Sequence, residues 1–180
     1  VAGRWFSIFL SCLLTGLVYT AVIMVHPNRL HAFALGILFT VGGGGVASQS
    51  VMMRTELPSM ILLFSAALAL MGATRTRYTL ALGLLAVAGF LIHASLMVKA
   101  QSVIVIVFLP LLAFVFGWQN RGQSFAVPSW RFLSGVLVAA LVTVVPVAVI
   151  YYRNLPLESS GLYQLLIAAF VFACALIHGN

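Results

Sequence analysis

Aspartate is absent from this sequence, and Glu56 and Glu158 are its only acids. A site built on paired carboxylates, whether for acid/base work or for a metal, would have only those two positions to draw on. Charge of either sign is scarce, at 6% of residues against 63% hydrophobic, with a mean hydropathy of +1.19. That supply cannot coat a water-facing surface of ordinary size, which excludes a soluble globular domain. Cysteine is nearly as rare: Cys12 and Cys174 both fall inside apolar runs and read as packing residues rather than as a disulfide or metal ligands. The CxxC, HExxH and GxSxG patterns of soluble enzymes are missing. The run GGGG at Gly42–Gly45 has neither the Lys-Ser/Thr of a phosphate loop nor the acid of a dinucleotide fingerprint, and it precedes an apolar span instead of following a strand.

What the sequence does contain is a succession of apolar runs punctuated by Pro, Gly and isolated polar residues. At about 20 residues per bilayer crossing they predict an all-α, polytopic membrane protein with about seven transmembrane helices. The spans run from Trp5 to Val25, Leu30 to Ser48, Leu57 to Gly72, Tyr78 to Val98, Ser102 to Trp118, Trp130 to Tyr152 and Ser160 to His178. Residues 1–180 then form one transmembrane domain with no separate extramembrane unit. The chain opens on VAGRWFSIFL, without an initiator Met or a signal-peptide pattern, and is expected to be a piece of a longer protein.

Nine basic residues against two acids give a net charge of +7, but they are scattered along the connections and form no stripe, so nucleic acid is not an expected partner. They read as topology signals. With a turn at Lys99 to Ser102, one face carries Arg4, Arg54, Lys99, Arg153 and both glutamates, and the other carries Arg29, Arg75, Arg77, Arg121 and Arg131 with no acid. The second face is the expected cytoplasmic side, by five basic residues to four. Trp5, Trp118, Trp130, Tyr78, Tyr151 and Tyr152 sit at span ends, where headgroup anchoring accounts for them without any chemistry.

The ionic residues of the acid-bearing face are the candidates for function. A charge at a helix centre costs about 2.5–3.5 kcal/mol on insertion scales, so charges near the membrane tend to be paired, cavity-facing or functional. Two readings of Glu56 stand on residue physics alone. In RTELPS it either opens a helix, favoured there by the macrodipole and by Pro58 in the first turn, or belongs to a site with Arg54. Lys99 is either a snorkelling interfacial cation or a point charge for a phosphate, with Gln101 beside it as a hydrogen-bonding group. His93 lies deeper in its span, where bonding to a neighbouring helix is the expected role. His26 and His31 bracket Arg29 with no acid nearby, which speaks against a metal there.

The order of these features is similar to that of the GT-C membrane glycosyltransferases, the group containing the protein mannosyltransferases and the aminoarabinose lipid A transferase. GRWFSIFLSCLLTGLVYTAV resembles that group's second helix, opened by Gly-Arg. HAFALGILFTVGGGGVASQSVMMRTELPSMILLFSAALAL resembles its third helix and the loop with an Arg-x-acid element, and TRTRYTLALGLLAVAGFLIHASLMVKAQSVIVIVFLPLL its basic turn, Gly-rich helix and terminal Lys. The resemblance covers about Gly3 to Phe116 and implies transfer of a sugar from a polyprenyl-phosphate carrier on the non-cytoplasmic face, in the cell envelope. It assigns Glu56 the family's second acidic position, with Arg54, Lys99, Arg4 and Gln101 binding substrate, and it leaves open whether His93 takes the lysine position. A divalent metal at Glu56 is equally open. The family's catalytic Asp, in a loop before the Gly-Arg helix, has no counterpart here. A secondary transporter and a noncatalytic membrane subunit are the competing expectations.

Overall fold

The computed structural model describes residues 2–25, 28–42, 56–98, 129–152 and 160–178. They form six helices: α1 (Ala2–Val25), α2 (Arg29–Gly42), α3 (Glu56–Ala73), α4 (Tyr78–Val98), α5 (Ser129–Tyr152) and α6 (Ser160–Ile177), with no strand among the described residues. Three stretches are long and apolar enough to cross a bilayer: Trp5–Met24, Tyr78–Val98 and Trp130–Val149. Arg29–Leu38, Leu57–Ala73 and Tyr163–Ile177 are shorter apolar helices. Six of the seven expected spans thus coincide with helices. The one expected from Ser102 to Trp118 lies outside the described residues, as does the part of the second beyond Gly42.

Helix is the state such a sequence has to adopt, because a segment in hydrocarbon must satisfy every N–H and C=O within itself. The hydroxyl side chains follow the same rule. Ser11, Thr15, Thr20 and Thr143 each donate to the carbonyl four residues earlier, at 2.8–3.0 Å, and so disappear into their own helices. At the start of α2, Asn28 Oδ1 accepts from the amides of Leu30 and His31, an N-cap that satisfies two orphan donors. Between α3 and α4 the chain turns through residues 74–77, with Arg75 N donating to Gly72 O at 3.1 Å.

Contacts fix the directions. The Arg75 guanidinium donates to Met24 O, so the C-terminal ends of α1 and α3 are neighbours and these helices run parallel. Gly36 lies against Thr15 and Tyr19, while His31 and Ala34 nearer the start of α2 share a groove with Ala21 and Val22 nearer the end of α1, so α2 is antiparallel to α1. Ser59 meets Ser95 while Gly72 meets Leu84, so α3 and α4 are antiparallel. Tyr78 meets Ser134 and Gly89 meets Val142, so α4 and α5 run parallel; His178, just past α6, meets Tyr78 and Arg131 while Val171 meets Gly89 and Phe172 meets Gly135, so α6 is antiparallel to both. Arg29, Arg75, Arg77 and Arg131 therefore gather at one end, while the starts of α1 and α3 lie at the other.

The core is in two parts. Ala81, Leu85, Ala88 and Ile92 of α4 pack with Ala66, Leu70 and Ala73 of α3, Val142 of α5 and Ile167, Val171 and Cys174 of α6. A smaller cluster joins Leu14 and Val18 of α1 to Leu57 and Ile61 of α3. The outer surface is as apolar as the inside: Phe9, Leu30, Leu38, Leu80, Val144 and Leu165 are all exposed. In water such a surface would aggregate; in a bilayer it meets lipid tails.

Between the three central helices the approach is closest at Gly89. A Cβ there would stand 2.6 Å from Val142 Cγ1 and 3.1 Å from Val171 Cγ2, and a β-branched valine has little rotamer freedom with which to withdraw. Gly89→Ala is expected to destabilise the fold by about 1–3 kcal/mol through overpacking, measured as the unfolding midpoint in detergent. Gly83→Ala on the same helix, where a Cβ meets nothing within 4 Å, is expected to leave that midpoint unchanged or slightly raised.

Candidate functional site

The residues singled out from the sequence cluster by helix end. Arg4 lies in the first turn of α1, Glu56 is the first residue of α3, and Lys99 follows the last residue of α4. With α1 and α3 parallel and α4 antiparallel to α3, these three helix ends share one side of the bundle. Arg54, Lys99 and Gln101 lie outside the described residues, and for Arg4 and Glu56 only the backbone is described. The fold therefore puts the ends that carry them on one side of the bundle and leaves their side-chain geometry unstated.

Just below this end lies a polar layer. Ser59 Oγ and Ser95 Oγ are 2.8 Å apart across the α3–α4 contact, both buried. Two residues earlier on α4, hence on the opposite side of that helix, His93 faces α5 and α6 as Gly89 does one turn before it. The expectation of a bond from His93 to a neighbouring helix is corrected here. Its Nδ1 bonds the carbonyl of Gly89 on its own helix at 3.0 Å. A carbonyl only accepts, so Nδ1 carries the hydrogen, and in the neutral ring Nε2 is a bare acceptor.

His93 Nε2 has no hydrogen-bond partner among the described residues, and neither does the buried amide nitrogen of Gln164 on α6. Gln164 belongs to the stripe of α6 that continues through Ile167, Val171, Cys174 and His178, which faces α4. Counting from the Gly89–Val171 contact at 1.5 Å per residue, the two side chains lie within about one helical turn of each other along the bundle. Pro146 of α5 sits one turn past Val142 and is buried. Lacking an N–H, it leaves the Val142 carbonyl without its regular helical donor. An acceptor (His93 Nε2), a donor (the Gln164 amide) and a helix relieved of one hydrogen bond thus meet between α4, α5 and α6. The complementary group for that pair is a hydroxyl, which donates to the imidazole and accepts from the amide.

The opposite, arginine-bearing end is closed by a lock. His178 Nε2 donates to Ala73 O at 2.7 Å, at the end of α3, while Arg131 Nη1 donates to His178 O at 3.0 Å. The Arg131 guanidinium lies over the rings of Tyr78 at 4.8 Å and Trp130 at 5.4 Å. Tyr78 Oη is 2.8 Å from Ser134 Oγ and donates to Arg131 O at 3.1 Å. Four helices, α3 to α6, are tied by these bonds. Sequence reasoning gave Tyr78 and Trp130 only a headgroup role and did not single out Ser59, Ser95, Gln164 or His178. For Gln164 a signal was present, since an amide in the middle of an apolar span is costly unless it is used.

A double-mutant cycle on Ser59→Ala and Ser95→Ala is expected to return a coupling of about 0.6 kcal/mol, the usual size of an interhelical bond in a membrane protein. His178→Ala removes the donor to a buried carbonyl and is expected to cost about 1–3 kcal/mol, read as the unfolding midpoint in detergent. Among known proteins, no family model, no curated protein and no solved structure matches this chain.

Proposed function

We propose that this chain is a membrane glycosyltransferase module of about seven spans that moves a sugar from a polyprenyl-phosphate donor to an acceptor on the non-cytoplasmic face. The observation that carries this reading is the convergence of helix ends: the start of α1 with Arg4, the start of α3 with Glu56 and the end of α4 before Lys99 share one side of the bundle. The described arginines Arg29, Arg75, Arg77 and Arg131 gather at the other end, which supports assigning that end to the cytoplasm.

The parallel pairing of α4 and α5 supports the seventh span. Val98 ends α4 on one side of the bundle and Ser129 begins α5 on the other. A crossing from Ser102 to Trp118 fits that placement.

In this reading the lipid phosphate is the leaving group and gains negative charge as the glycosidic bond breaks. Lys99 and Arg54 stabilise that charge where little water competes. Glu56 orients the acceptor hydroxyl or holds a divalent metal, and Arg4 and Gln101 position the donor headgroup. The lipid tail stays in the bilayer, which delivers the donor in two dimensions.

A secondary transporter is the second reading, and the polar layer favours it. Buried nitrogens without a partner among the described residues, beside a Pro-interrupted helix, are the kind of site at which transporters hold a solute. One assay separates the two. With the full-length protein in membranes and a radiolabelled polyprenyl-phosphate sugar, wild type is expected to transfer label to acceptor. At equal expression, Lys99→Ala is expected to lose about 100-fold, the usual effect of removing one stabilising donor, and Glu56→Gln to lose most of the activity. Wild-type turnover in both variants removes them from the site.

A further inference from the structure

We propose that Ser59 and Ser95 are a positioning pair for the transfer site, setting the start of α3, which carries Glu56, against the end of α4, which precedes Lys99. The inference rests on the glycosyl-transfer reading. Across the α3–α4 interface Ser95 Oγ is 2.8 Å from Ser59 Oγ and 3.4 Å from Ser59 O, and both residues are buried. One arrangement satisfies both contacts: the Ser59 hydroxyl donates to Ser95 Oγ, and the Ser95 hydroxyl donates to the Ser59 carbonyl. Ser11, Thr15, Thr20 and Thr143 take the ordinary course for a hydroxyl in such a helix, a bond to the carbonyl four residues earlier. Ser95 reaches to the neighbouring helix instead.

Elsewhere in this seam Ala66, Leu70 and Ala73 of α3 pack in one cluster with Ala81, Leu85 and Ala88 of α4. Apolar contacts have no direction, whereas a hydrogen bond weakens steeply out of line, so the serines specify register where alanine and leucine do not. The turn that joins the two helices, at residues 74–77, lies about 21 Å along α3 from Ser59. Glu56 precedes Ser59 by three residues and Val98 follows Ser95 by three. In this antiparallel pair both backbones therefore lie about 4.5 Å beyond the serines, toward the same end. A spacing of three also keeps each on the side of its helix that the serine occupies. The proposed chemistry asks for such control, because groups that stabilise a leaving phosphate and orient a hydroxyl act at near-attack distances, where a misplacement of about 1 Å can cost about 100-fold.

The test measures kcat and KM for a radiolabelled polyprenyl-phosphate sugar with the full-length protein in membranes. Ser95→Ala removes both bonds and is expected to lower kcat about 10- to 100-fold with KM for the donor unchanged, the pattern of an effect felt in the transition state. Ser59→Ala keeps the backbone carbonyl as acceptor and is expected to lose less. The double variant is expected to lose no more than Ser95→Ala, since all three act through one contact. His178→Ala, at the opposite end, is the control, expected to lower the unfolding midpoint while the folded protein keeps its kcat. Wild-type kcat in Ser95→Ala, or an equal loss in His178→Ala, would overturn the proposal while leaving the transfer reading in place. A wild type that transfers no label would overturn the transfer reading, and the role of the pair with it.

Discussion

A hydrocarbon surrounding offers no hydrogen bonds, so every polar atom placed in it must find its partner inside the protein. The rest of this structure follows from that constraint. It makes each apolar run a helix, and it makes Ser11, Thr15, Thr20 and Thr143 donate to their own backbones. It governs the helix ends too, where four carbonyls are left over each time. Arg75 reaches the end of α1, His178 the end of α3 and Arg131 the carbonyl of His178 just past α6, and each bond also joins one helix to another. Tertiary structure at the arginine end is in this sense a consequence of capping.

The same constraint gives weight to the exceptions. His93 and Gln164 present nitrogens with no partner among the described residues, in a layer where Pro146 also withdraws a backbone donor. A buried polar atom left alone costs about 1–3 kcal/mol. Two such atoms within about a turn of each other are therefore an expensive arrangement for packing alone to maintain. They lie on the same side of the bundle's middle as Ser59 and Ser95, toward the end that carries Glu56.

Much of the helix layout was legible in the sequence, because apolar runs cut by Pro, Gly and charge mark where a chain enters and leaves a bilayer. The third span was expected from Leu57 to Gly72, where a helix runs from Glu56 to Ala73; the fourth was expected from Tyr78 to Val98, the bounds of a helix long and apolar enough to cross a membrane. Which face of a helix meets which neighbour was not legible. A helix that is apolar all round carries no stripe to orient it, and Phe9, Leu80 and Val144 on the outside are chemically the same as Leu14, Leu85 and Val142 inside. Only rare polar residues could have broken that symmetry, and their partners, Ser59 with Ser95 and His178 with Ala73, lie 36 and 105 residues apart. For the candidate residues, the sequence grouped Arg4, Glu56 and Lys99 on one face, and the helix ends at those positions share one side of the bundle; Arg54, Lys99 and Gln101 themselves lie outside the described residues. Glycine was no more legible: among the described residues the close approach is at Gly89, which has an ordinary sequence context, while Gly43–Gly45 lie outside them.

Among the described residues, α3 is the only helix that belongs to both packing clusters. Leu57 and Ile61, in its first half, pack on α1, whereas Ala66, Ala69, Leu70 and Ala73, in its second half, pack in the larger core. The second half is fixed from two sides, by the small-residue contact with α4 and by the bond from His178. The first half packs on α1 through Leu57 and Ile61 and meets α4 through the hydroxyl pair of Ser59 and Ser95. One helix therefore joins the two clusters along its length, from Glu56 at one end of the bundle to Ala73, held by His178, at the other.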